Sequence, residues 1–368
     1  MASIKSLAIG LFSASIFGIF ALQPQAVVIQ FVPVGDVGNV GDTQKMKQDQ
    51  TSGYGAVPYA YQIGKYDVTN AQYTEFLNAK DPTGTSPLGL YNSAQGTDGN
   101  SAGISYNAGG PAGSKYGVIA GQGNKPAVNV DWFSSIRFIN WLANGQGNGD
   151  TESGSYTLTG GSPTPANSSS LTRNAGTTIF MPNENEWYKA AYYKAGGTNA
   201  GYWAYATRTN TTPVSAPPGS TAPNTANYND PVTGYSVTGS TGQSANQNYL
   251  TDVGAYGNSS SAYNTFDQTG NVFQWNETTV TGTVKGIRGG SWNLDSGALP
   301  SLNRDLLYEP TYANFFVGFR VAGIPEPVGA TAWLMGGILL TCRARSRHRE
   351  KNTGPQSRNE RKEKRKEE

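Results

Sequence analysis

Phe266-Asp267-Gln268-Thr269-Gly270-Asn271-Val272-Phe273-Gln274-Trp275-Asn276-Glu277, then Gly286-Ile287-Arg288-Gly289-Gly290-Ser291-Trp292, then Val317-Gly318-Phe319-Arg320-Val321, form the most patterned part of the chain. Short apolar runs broken by glycines read as small strands joined by tight turns. Upstream, the residues 27–34 and 61–66 alternate and predict strands, as does 178–181. Three helices are expected. Thr69-Asn70-Ala71-Gln72 is a capping-box pattern ahead of Tyr73, Phe76 and Leu77. Asp131 opens a stripe of Trp132, Ile136, Ile139 and Leu142 that Asn144-Gly145 stops. Asn183 and Glu186 cap a helix over 187–195, ended by Gly196-Gly197. The stretches 81–125 and 198–262 are rich in Gly, Ser, Thr, Asn and Pro. They are expected either to pack as irregular structure or to be mobile.

Seven tryptophans, twenty-one tyrosines and thirteen phenylalanines supply rings to bury, while forty-seven glycines imply much irregular backbone. One loop-rich domain over about 27–323 satisfies both, since nearly three hundred residues suffice for one sizeable core. The only cysteine, Cys342, and the only histidine, His348, lie beyond that span. Cysteine nucleophiles, disulfides, Cys/His metal sites and histidine triads are therefore excluded from it, and no copper, iron or zinc is expected. The net charge of +2 hides an asymmetry: residues 343–368 carry eleven Lys/Arg against five Glu, leaving 2 − 6 = −4 on the rest. A mildly acidic body has no phosphate-binding footprint, so nucleic acid is not an expected partner of the domain.

The two ends read as address labels. Residues 1–26 have Lys5, an apolar run from Leu7 to Leu22 and a small residue at Ala26, as in a secretory signal peptide; an uncleaved membrane anchor is the alternative. At 324–347, Ile324-Pro325-Glu326-Pro327 precedes an apolar run to Cys342 and Arg343-Ala344-Arg345-Ser346-Arg347. This order resembles the PEP-CTERM sorting signal processed by an exosortase, and a plain membrane anchor with positive-inside charge is the alternative. Residues 348–368 form a charged tail, expected to be disordered and solvated, that extends past the usual end of such a signal. Either reading puts the domain outside the cytoplasm, in the cell envelope or beyond it, with export and sorting machinery and the membrane as partners.

Six ordered blocks carry a further resemblance: Val68-Thr69-Asn70, Pro126-Ala127-Val128-Asn129-Val130 before Trp132, Met181-Pro182 to Trp187-Tyr188, Gly270 to Trp275, Arg288-Gly289-Gly290-Ser291-Trp292 and Gly318-Phe319-Arg320. Together they resemble the formylglycine-generating enzymes, or sulfatase-modifying factor domains. The resemblance implies an α+β fold, a single mixed domain with little regular secondary structure related to the C-type-lectin-like fold. The catalytic members use two cysteines whose positions fall here near Leu294 and Leu299, and the iron-dependent branch uses histidines that this span lacks. Both oxidative chemistries are thus expected to be absent.

The resemblance also implies a calcium site made by Asp267, the carbonyls of Gly270 and Val272, and Gln274 in place of the usual glutamate. The alternative is that these are ordinary turn formers. A second implied set is Asn227, Tyr228, Asn246 and Asn248, which has no carboxylate. Asn271, Phe273, Arg288, Ser291 and Trp292, with Arg304 and Arg320, are the implied ligand groove. Rings stack on apolar faces while Arg and Asn hydrogen-bond, which suits saccharide or peptide. The competing reading of the same residues is core packing and structural ion pairs. The expected function is a non-catalytic binding or structural module recognising an envelope glycan or surface protein. The alternatives are a carboxylate-based hydrolase drawing on Asp131, Glu184, Glu186, Asp267, Glu277 and Asp295, or an accessory factor for a separate sulfatase or oxidase.

Overall fold

The computed structural model describes residues 26–325, so the expectations for residues 1–25 and 326–368 lie outside the described residues. Elements are short. In chain order they are β1 (Phe31–Val34), β2 (Tyr61–Gly64), α1 (Asn70–Lys80), β3 (Ile104–Tyr106), β4 (Tyr116–Val118), α2 (Trp132–Ala143), β5 (Ile179–Phe180), α3 (Glu184–Tyr192), β6 (Phe273–Thr281), β7 (Val284–Arg288), β8 (Val317–Phe319) and β9 (Ala322–Gly323). Four two-residue strands punctuate 214–235.

Helix starts follow the caps. Thr69 accepts from Gln72 N–H while the Gln72 side chain returns to Thr69 N–H, and Asn183 and Glu186 do the same for α3. Asp131 caps α2 through Ser134 N–H at 2.6 Å. The third helix begins earlier than the apolar pattern suggests, directly after its cap. It also stops earlier, because Tyr193 turns extended and bridges Tyr202. The first strand is shorter than 27–34 because Val27 gives its N–H to the Gln146 side chain instead of a neighbouring strand.

Two sheets organise the core. β1-β2-β9-β5 is antiparallel throughout, and β6 lies between antiparallel β7 and parallel β8, with Trp275 opposite both Ile287 and Phe319. Trp275 is fully buried and its indole N–H reaches Val130 O at 3.1 Å; Trp132 likewise reaches Asn276 O at 3.1 Å. Phe138 of α2 meets Phe319 edge-on at 5.5 Å, and Phe76 of α1 meets Phe138 at 5.4 Å. Rings of this size bury enough area to order two sheets and three helices despite their brevity.

The two glycine-rich stretches are packed, not free. Residues 81–125 fold as the β3–β4 hairpin with Tyr91, Tyr106 and Tyr116 in mutual ring contact, and Asp81 takes the N–H groups of Thr85 and Ser86 at 3.0 Å. The 198–262 stretch presses on the Gly270 turn. A Cβ at Gly270, whose φ is +81°, would meet Asn227 O at 2.3 Å, so only glycine lets the two loops meet.

Candidate functional site

The seven residues expected to line a groove are all buried, none more than 5% exposed, and this corrects the expectation of an open surface built from them. The physical reason is that the charged and amide groups find their partners inside, and Trp292 packs on rings with its indole N–H left unpartnered. Arg288 on β7 gives Nε to Glu184 Oε1 at 2.7 Å and its remaining nitrogens to Ser301 O, Asn303 O and Met46 Sδ. Arg304 binds the same carboxylate through Nε at 2.9 Å and Nη2 at 2.5 Å, and Asp49 at 2.6 Å. Trp292 stacks on Tyr249, 4.9 Å apart and 5° from parallel. Phe273 meets Phe316 at 6.1 Å, and Ser291 Oγ pairs with Asn293. Arg288 and Arg304 are brought together on Glu184, and Asn271 and Trp292 through a 2.9 Å backbone bond.

Arg320 anchors the end of β8. It donates to Gln274 Oε1 at 2.9 Å and to the carbonyls of Gly64 and Phe266 at 2.6 Å, and lies 3.6 Å from Asp67. Both Asp67 oxygens are buried without a hydrogen bond. Burial pushes this carboxyl up to about 8, opposed by Arg320 and reinforced by Asp267. Asp267 itself is pushed up to about 6 by burial, against the Gly254 N–H and Arg320.

This environment does not fit the implied calcium ligands. Gln274 Oε1 is occupied by Trp187 Nε1 at 2.7 Å and by the Arg320 guanidinium, so a cation on that oxygen would sit against a fixed positive charge. Asp267 Oδ2 already accepts from Gly254 at 2.7 Å. In the second set, Asn227 Nδ2 is committed to Tyr249 O and Asn271 Oδ1, and Asn248 Oδ1 accepts from Leu250 N–H.

The six carboxylates considered for hydrolysis are also engaged. Asp131 and Asp295 cap helical turns, Glu184 holds two arginines, Glu186 and Glu277 share Arg173, and Asp267 accepts from Gly254.

An open recess of ≈ 590 Å³ lies instead among loops from the two glycine-rich stretches, lined by Gln122, Lys125, Asn248, Leu250, Thr251 and Asp252 among others. Gln122 Oε1 and Thr251 Oγ1 are buried there without partners. The Lys125 ammonium, pushed down by burial, donates to Leu250 O at 2.5 Å and stands 3.5 Å from the half-exposed Asp252 carboxylate. A second recess of ≈ 490 Å³, with Tyr66, Asp67, Gln72 and Asn124 in its wall, shares Asp252. Asn271 supports this floor: its Oδ1 accepts from the Thr251 N–H and its Nδ2 donates to the Thr251 carbonyl. Sequence reasoning placed Asn271 in a groove, where it is a support, and missed the lining, which has no periodicity; the one local signal was Gln122 and Lys125 set among glycines at 121–125.

Residues 30–323 match the sulfatase-modifying factor enzyme 1-like domain. The chain belongs to this family. The mixed fold, with few helices and small sheets, is the one expected for a sulfatase-modifying factor domain. No curated protein matches the chain. Among solved structures it is similar to variable protein 1 of Treponema denticola, at 18% identity over 82% of this chain and 98% of that one (TM-score 0.49), and to CarF, at 20% over 81% and 99% (TM-score 0.49). PvdO from Pseudomonas aeruginosa matches at 19% identity over 80% of this chain and 94% of that one (TM-score 0.45). Of the two leucines singled out in the sequence, Leu294 is exposed while Leu299 is sealed in a cluster with Tyr205, Ala226 and Tyr228.

Proposed function

We propose that this sulfatase-modifying factor domain is an exported, envelope-associated binding module that takes a glycan or a surface protein in the recess around Lys125, Thr251 and Asp252, and carries out neither of the family's oxidations. The observation that carries the binding role is the half-exposed Asp252 carboxylate beside the Lys125 ammonium, 3.5 Å apart, in the wall of the ≈ 590 Å³ recess. The absence of Cys and His from residues 26–325 supports the lack of thiol or histidine-iron chemistry. Export, sorting and a membrane-associated C-terminus rest on the signal-like start and on the Pro-Glu-Pro, apolar, arginine order at 324–347.

The test is binding of the full chain to isolated envelope polysaccharide and to surface protein, beside Asp252→Asn and Thr251→Val. Saturable binding weakened about tenfold or more by either variant is expected, since a lost bond to a charged or buried group is worth roughly 1.5–3 kcal/mol. Binding to neither material would sink the reading.

A further inference from the structure

A different recess, of ≈ 360 Å³, opens beside the bulged β6–β7 hairpin, with Thr172, Arg173, Glu277, Thr278, Thr279 and Lys285 in its wall. Lys285 on β7 is registered opposite Thr279 on β6. Its ammonium has neutral partners only: Thr279 Oγ1 at 2.9 Å, the Glu277 carbonyl at 3.3 Å and the Trp132 ring at 4.2 Å. The Glu277 carboxylate is spent on Arg173, taking its Nε at 2.8 Å and its backbone N–H at 2.9 Å. A buried ammonium without a close counter-ion is driven toward the neutral amine, and burial brings Lys285 down to about 8 against the distant pull of Glu277. A neutral amine is a nucleophile, and here it borders space that admits a small molecule.

Lys189 separates titration from access. Burial also brings it down to about 8, but it is fully enclosed, donates to Asp36 O at 3.0 Å, and borders none of the recesses described. Lys125 borders a recess but has Asp252 beside it. Lys285 alone among these three combines a recess with the lack of a carboxylate at ion-pair distance.

We infer that Lys285 is a carbonyl-reactive amine that forms an imine with a small hydroxylated aldehyde, such as the open chain of a reducing sugar, entering this recess. The Nζ lone pair attacks the carbonyl carbon, and one nitrogen proton passes to the oxygen to give a carbinolamine. The C–O bond then breaks and water leaves with the second nitrogen proton as the C=N bond forms. No oxidant or reductant is consumed. Solvent water in the recess relays the proton for this loss, since Arg173 holds the Glu277 carboxylate, and Thr278 and Thr279 line the space the sugar enters.

The experiment treats the full chain with glyceraldehyde, traps imines with cyanoborohydride, and measures the modification rate of each lysine by peptide mass spectrometry. At pH 7.5, Lys285 is expected to react roughly tenfold or more faster than the exposed Lys45 and Lys47, with its rate levelling off above about pH 8. Filling the recess with Leu171→Trp should slow Lys285 to their level and leave Lys189 unchanged. A wild-type rate at Lys285 no higher than at Lys45 and Lys47 would overturn the inference, and so would a Lys189 rate equal to it, since access would then not be the cause.

Discussion

Two buried ionic centres in this domain contain the same ingredients and behave oppositely. Around Glu184, both carboxylate oxygens are taken by Arg288 and Arg304 at 2.5–2.9 Å, and the spare guanidinium nitrogens are spent on carbonyls and Asp49. Around Asp67 an arginine is also present, but Arg320 gives its hydrogen bonds to Gln274 and two carbonyls and stays 3.6 Å from the carboxylate. The first centre is a closed set of charge-assisted bonds. The second leaves a carboxyl whose charge nothing matches, so it holds its proton near neutral pH. Proximity of opposite charges is therefore not pairing; what decides is where the arginine's limited donors are aimed.

The largest expected effect is at the closed centre. Glu184→Gln removes the one anion that two buried guanidiniums share and should cost about 3–5 kcal/mol in urea unfolding. A loss under about 1 kcal/mol would mean that the carbonyls alone hold the arginines and would erase the contrast.

A pH-dependent effect, smaller at each pH unit, belongs to Asp67. Its folded value of about 8 lies above the ordinary unfolded value near 4, so the folded state holds the extra proton between those limits. This contribution is fully present below about pH 4 and is lost as pH rises toward 8. Asp67→Asn, which cannot ionise, should therefore gain on the parent across that window, by up to about 1.4 kcal/mol per pH unit. Urea midpoints of both proteins at pH 5, 7 and 8.5 test it; parallel curves would show that Asp67 is paired after all.

The smallest effect is expected at Asp252. Its contact with Lys125 is half-exposed, so Asp252→Asn should change stability by no more than about 0.5 kcal/mol while weakening ligand capture. A large stability loss would make this contact structural and blur the line between core and recess.

The sequence revealed what is decided locally. Thr69 with Gln72, Asp131, and Asn183 with Glu186 all cap the helices they announce, because a cap needs only three or four residues. The short strands of the last third were legible from their glycine spacing, and so was the family from the six blocks. The groove was not. Arg288 looks like a ligand-binding fork until Glu184, 104 positions away, is seen to fill it, and no local pattern announces a partner at that separation. The recess was invisible for the converse reason: Gln122, Thr251 and Asp252 meet only because two aperiodic loops are folded against one another, tied by Lys125 Nζ to Leu250 O and Val253 N–H to Asn124 O.

The place of β9 carries a consequence for biosynthesis. Ala322 and Gly323 form the strand that connects β2 to β5, and they are nearly the last residues of the domain. Until they emerge from the ribosome, that sheet stays in two pieces separated by more than a hundred residues, and the loop-closure cost of joining them is unmet. The growing chain is thus kept from finishing this sheet until its last residues are made.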